Sequence, residues 1–120
     1  MRVGNPLSNI YNDMNKLEAS LRETKEFLTL KEAVEAVKND DEARKLFTNF
    51  RDIQLKLQQK QIAGEELLED EYNYVQKAAQ LAQQNVKILA MLEAEMAVSN
   101  VIEEANRIFV KPIQSLYDGL

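Results

Sequence analysis

Apolar residues recur along this chain at steps of three and four, and nothing in it supports a strand. That is the periodicity of amphipathic helices. Ile10, Met14, Leu17 and Leu21 are spaced 4, 3 and 4 apart, a narrow seam of coiled-coil type. Ser8 or Asn9 can cap this first helix, because a side-chain oxygen there satisfies an orphan N–H. Residues 1–8 then form a leader, which Gly4 and Pro6 keep out of helix. The helix is expected to end around Arg22–Lys25. A second helix, about Glu26 to Lys38, repeats the seam through Phe27, Leu30, Val34 and Val37, and Ala33 widens it. Asn39-Asp40-Asp41 punctuates, and its acids suit the positive end of the next helix.

A third helix is expected over about Asp41 to Ala63. Ala43, Leu46, Phe47, Phe50, Ile53 and Leu57 share one arc of it, while Leu55 and Ile62 fall roughly opposite, beside Arg44 and Arg51. Gly64 can take the left-handed position that closes the helix. Five acids between Glu65 and Glu71 then open a long fourth helix running to Val110. Its middle, Val86 to Ile102, is apolar on every side, broken only by Lys87, Glu93, Glu95, Ser99 and Asn100. A helix that is apolar all round must be covered all round.

Unbroken, the 42 residues from Glu69 to Val110 would span roughly 63 Å at ~1.5 Å per residue. A compact chain of this size has a diameter of roughly 35 Å. Either the helix kinks, at Gln83-Gln84-Asn85 or Ser99-Asn100, or its exposed middle packs on a second copy across a two-fold axis. The second case is favoured, with Ile88, Met91, Leu92, Met96, Val98 and Ile102 as the contact; Leu55 and Ile62 read either as stray surface apolars or as a second contact face. Pro112 is expected to bend or break the helix, which leaves 112–120 as a short terminal helix or tail.

Composition narrows the chemistry. The 120 residues read as one helical domain with only three Gly and two Pro, so loops should be few and short. There is no cysteine and no histidine. That removes thiolate chemistry, sulfur-ligated metals, the commonest general base and the commonest transition-metal ligand. The net charge of −5 disfavours direct binding of a nucleic-acid backbone. The N-terminus has no apolar core of a signal peptide. Glu93 and Glu95 near the centre of the apolar run argue against membrane insertion. Cytoplasmic location is the default.

Paired carboxylates are the remaining catalytic currency. Glu93 and Glu95 are two apart, and Glu103 and Glu104 are adjacent, so on a helix both pairs diverge. Lys87, Arg107 or a second chain could pair with Glu93 and Glu95. There is no phosphate loop, EF-hand loop or nucleophile elbow. No catalytic, cofactor or metal site is therefore expected. The tyrosines Tyr11, Tyr72, Tyr74 and Tyr117 suit wet protein interfaces.

The segment from FLTLKEAVEAVKNDDEARKLFTNFRDIQLKLQQKQIAGEEL to the closing NRIFVKPIQSLYDGL, preceded by SNIYND, resembles the YlbF/YmcA family of small bacterial helical regulators. Within that family it is most similar to the YheA-type branch. The likeness runs from about Ser8 to Leu120, most tellingly at Phe47-x-x-Phe50, Gln58-Gln59-Lys60-Gln61 before Gly64, and Lys111-Pro112. It implies a cytoplasmic, self-associating helical bundle. Better-studied relatives act as regulatory partners in development and as accessory factors for a ribonuclease. Those relatives use cysteines in a cluster-holding complex, and this chain has none.

The expectation is thus an all-α, antiparallel bundle of about four helices with one long C-terminal helix, dimerising through it. Its function reads as that of a non-enzymatic regulatory adaptor, binding itself and an unidentified protein. The alternative is an accessory role in RNA processing through a ribonuclease partner.

Overall fold

The computed structural model describes residues 6–120, and every described element is helical. Five helices follow one another: α1 (Pro6–Arg22), α2 (Lys25–Lys38), α3 (Asp41–Ile62), α4 (Glu69–Gln84) and α5 (Val86–Leu116). The first begins at Pro6, two residues ahead of the expected cap. Proline suits a first helical turn, where its missing N–H has no partner to lose. The expected leader is thereby shortened, and its first five residues lie outside the described ones.

The caps follow from local chemistry. Thr24 Oγ1 accepts from the Phe27 N–H at the start of α2, and Asp40 accepts from the Ala43 N–H, 2.9 Å, at the start of α3. Gly64, at φ +74°, ends α3 in the left-handed conformation. Its N–H donates to the Gln61 carbonyl and the Glu65 N–H to the Lys60 carbonyl, the paired bonds of a Schellman closure.

The single long helix expected from Glu69 to Val110 is instead two. Asn85 takes an extended conformation, φ −80° and ψ 121°, so that it ends α4 and caps α5 at once. Its side-chain oxygen accepts from the N–H groups of Lys87 and Ile88, at 3.0 and 3.1 Å. Of the two polar interruptions in the sequence, the first is the one that breaks. Nor does Pro112 end α5, which continues to Leu116. The carbonyl that Pro112 leaves without a donor belongs to Ile108, an exposed position on the solvated end of the helix, where water is at hand.

Two antiparallel pairings organise the chain. A hairpin of α3 and α4 is tied at its turn by the Lys60–Glu71 ion pair. The most extensive packing is between α2 and α5. They run antiparallel, because the end of α2 lies by Lys87, through Asp40, and its Thr24 cap lies beside Val101 and Ala105.

The core forms where α2, α3, α4 and α5 meet, around Val37, Ala43, Ala82, Ile88 and Met91, with Leu30, Val34, Phe47 and Phe50 packed about it. Ala43 and Ala82 bring the helix backbones close, and Ile88 is fully buried. Burying one such side chain contributes roughly 1.5–3 kcal/mol.

Candidate interaction surface

The long α5 divides into two stretches with different surroundings. In its first half Ile88, Met91, Ala94 and Val98 are buried, at helical steps of 3, 3 and 4. From Ile102 onward every residue is exposed except the half-buried Ala105. Helix α1 is exposed throughout its described side chains up to Ser20. Its backbone lies close only to that of α2, to which it is joined, and no Cα of α1 comes within 8 Å of one on α5. Helices packed directly on each other sit about 8–10 Å apart at their axes. So α1 and the end of α5 flank a gap.

That gap is an apolar groove of about 480 Å³, walled by Met14, Leu17 and Leu21 on α1 and by Ile102, Ala105 and Phe109 on α5. Met14 is 44% exposed and Phe109 57%. Twelve of the twenty-two large apolar side chains exposed among the described residues lie on α1 or between Ile102 and Leu120, on the end of α5 and the four residues after it.

The residues marked out by the sequence are distributed differently from expectation. Ile88, Met91 and Val98 lie inside the protomer's own core, and Leu92 is half-buried against it. The reason is the break at Asn85, which lays one face of α5 on α2. Met96 and Ile102 point outward, as do Leu55 and Ile62, the last 87% exposed. These four do not form one patch. Leu55 and Ile62 lie toward the turn of the α3–α4 hairpin, whereas α5 is tied to the opposite end of α3 at Asp40. Lys87 pairs with Asp40 and Arg107 with Glu104, not with Glu93 or Glu95.

A second hollow, about 510 Å³, lies where α3, α4 and α5 meet, beside Asp40, Leu46, Leu81, Asn85 and Lys87. Its charges answer one another: Lys87 Nζ donates to Asp40 Oδ2 at 2.8 Å. The bond from the Ala43 N–H, followed by that from Lys87, holds the Asp40 carboxyl below its usual range. The Lys60 ammonium, followed by the Leu68 N–H, does the same for Glu71 at the start of α4. No group of three or more carboxylates among the described residues is placed to hold a metal ion. No helix among them is long and apolar enough to cross a membrane.

Fold and surface together define a class: an elongated all-α protein with a long stretch of exposed apolar helix. The family model for "Control of competence regulator ComK, YlbF/YmcA" matches residues 10–114, and the chain belongs to that family. A UPF0342 protein of Lysinibacillus sphaericus is 65% identical over 112 residues, covering 93% of this chain and 97% of the relative. The UPF0342 protein YheA of Bacillus subtilis is 45% identical over 112 residues, covering 93% and 96%. Among solved structures, a protein of unknown function (DUF964) from Bacillus stearothermophilus superposes with a TM-score of 0.84 at 38% identity, over 93% of this chain and 98% of that one. The structure of yheA from Bacillus subtilis gives 0.71 at 36% identity, over 89% and 97%.

Proposed function

We propose that the protein is a non-enzymatic regulatory adaptor that self-associates and acts by helix-to-helix contact with another protein. The carrying observation is its surface. At 9951 Å² it exposes about 3,300 Å² more than the ~6,600 Å² expected of a compact monomer of 13.8 kDa. The radius of gyration is 20.2 Å, against ~14 Å for a compact chain of the same length. Exposed apolar side chains of α1 and the end of α5 contribute to it, the kind of surface that marks protein contact. Membership in a family described by control of a competence regulator supports a regulatory rather than a metabolic role. The absence of histidine and cysteine from the sequence points the same way.

The test has two parts. Light scattering with small-angle scattering should give a dimer or larger assembly, and a compact monomer would sink the reading. Affinity capture of tagged protein, with and without nuclease treatment, should then recover the same partner in both. A partner lost on nuclease treatment, or a ribonuclease as the main captured species, would favour the RNA-processing alternative.

A further inference from the structure

The groove between α1 and the end of α5 is walled but not filled. Each wall carries a complete seam. On α1 it is Ile10, Met14, Leu17 and Leu21, at steps of 4, 3 and 4. On α5 it runs Ile102, Ala105, Phe109, Ile113 and Leu116, at steps of 3, 4, 4 and 3. A period near 3.5 is what a helix needs to keep one stripe against a neighbour over several turns. Yet the two backbones stand more than 8 Å apart at every Cα pair, with open space between the seams.

We propose that a second copy of this chain closes the groove with its own arm, so that α1 and α5 of both protomers form a four-helix bundle across a two-fold axis. Two seamed helices from each copy supply four, and an isologous contact uses the same surface on both sides. This rests on the reading that the protein self-associates, and it places the contact on the arm rather than on the apolar middle of α5.

Area and charge both favour a second copy as the occupant. The surface in excess of a compact monomer, 9951 Å² against roughly 6,600 Å², is ample for the ~800 Å² per partner of a standard stable interface. The arm, residues 9–22 and 101–120, carries four basic and five acidic side chains. It is nearly neutral in a chain of net charge −5, with its signs interspersed and partly paired internally, Glu18 with Arg22 and Glu104 with Arg107. Two such arms can meet without the like-charge repulsion that two acidic bodies would suffer. A strongly basic or acidic partner would find no opposite field on this arm.

The experiment compares full-length variants by light scattering and circular dichroism. Wild type should be a dimer. Met14→Glu with Phe109→Glu, both on exposed positions of the protomer, should be a monomer of unchanged helicity. Ile62→Glu with Met96→Glu, on exposed positions of the body, should remain a dimer. A monomeric wild type would overturn self-association and this proposal together. A dimeric wild type whose arm variant is still dimeric would overturn this proposal alone.

If the arm variant loses helicity, cross-linking decides. The chain has no cysteine, so Leu17→Cys or Phe109→Cys treated with a short bis-maleimide can join only two copies. Yields above those of Ile62→Cys are expected, and equal or lower yields would overturn the arm contact. Cross-linking in lysate to one different protein, with no self-product, would assign the groove to that protein's helix and overturn the proposal as well.

Discussion

Lys87 reaches Asp40 across 47 residues of chain, 2.8 Å from Nζ to Oδ2, while the other carboxylate oxygen of Asp40 accepts from the Ala43 N–H. One aspartate therefore both caps α3 and fastens the first turn of α5 to it. Its partner in this respect is Glu71, which joins α4 to α3 through Lys60.

Both carboxyls are held below their ordinary values of 3.8 and 4.5, Asp40 chiefly by the Ala43 N–H and Glu71 chiefly by Lys60. A group whose folded pKa is depressed stabilises the fold above its unfolded pKa, and that stability is lost as pH falls through the folded value. Melting temperature should therefore drop as pH goes below about 4.5, the unfolded Glu71 value. Asp40→Asn keeps a capping oxygen but removes the charge, so its melting temperature should fall less steeply with acid than that of wild type. Parallel curves for the two proteins below pH 4 would refute the assignment.

Ile88 is the largest fully buried side chain. Ile88→Ala should destabilise by about 2–5 kcal/mol through lost burial and a residual cavity. Met96→Ala, on the exposed face of the same helix, should stay within ~0.5 kcal/mol of wild type. Urea titration distinguishes them, since the midpoint should move for Ile88→Ala while the slope does not. Equal midpoints for the two variants would mean that α5 does not present the face described.

A Cβ added at Gly64 would meet nothing within 4 Å, so space is no obstacle. The backbone is: φ is +74°, a region that costs an L-residue roughly 1–2 kcal/mol. Gly64→Ala should lose about that much in denaturant unfolding. Gly64→Asn should lose less, because asparagine tolerates the left-handed region. If alanine were neutral, the Schellman closure of α3 would be ruled out.

Asn85→Ala removes the oxygen that caps Lys87 and Ile88. A lost cap of this kind costs about 0.5–2 kcal/mol. Alanine also favours helix at the joint, so α4 and α5 should tend to merge. Small-angle scattering should then show a larger maximum dimension than wild type, and an unchanged profile with unchanged stability would count against the joint.

The sequence carried these features unequally. Gly64 was legible because a glycine after a run of lysines and glutamines has one common structural use. The acidic punctuation before α3 was legible for the same kind of reason, and Asp40 within it provides the cap. The break at Asn85 was visible only as one of two polar interruptions. Local signals could not rank Gln83-Gln84-Asn85 against Ser99-Asn100, because the choice is made by distant packing of Ala82 and Ile88 on α2 and α3.

The same limit explains the displaced surface. An apolar run without a polar face does not reveal which side its own chain covers. Ile88, Met91 and Val98 could therefore be named as important, though not as internal. The arm was present in the seam of Ile10, Met14, Leu17 and Leu21. What periodicity could not show is that α1 stands off from α5 by more than a packing distance.

Asn85 is also a joint without slack. Because one residue ends α4 and begins α5, no loop absorbs a change in length there. One inserted or deleted residue would turn α4 by about 100° relative to the face of α5 that meets α2, the rotation of one helical step. The α3–α4 hairpin would swing with it and pull Asp40 away from Lys87. At the other end of that hairpin, residues 63–68 belong to neither helix, so a residue added between Glu65 and Leu68 changes the loop before it changes a helix face. The protein is thus calibrated by residue count at one point and tolerant of it at another, and a chimera exchanging its hairpin with a relative's must be cut with that difference in mind.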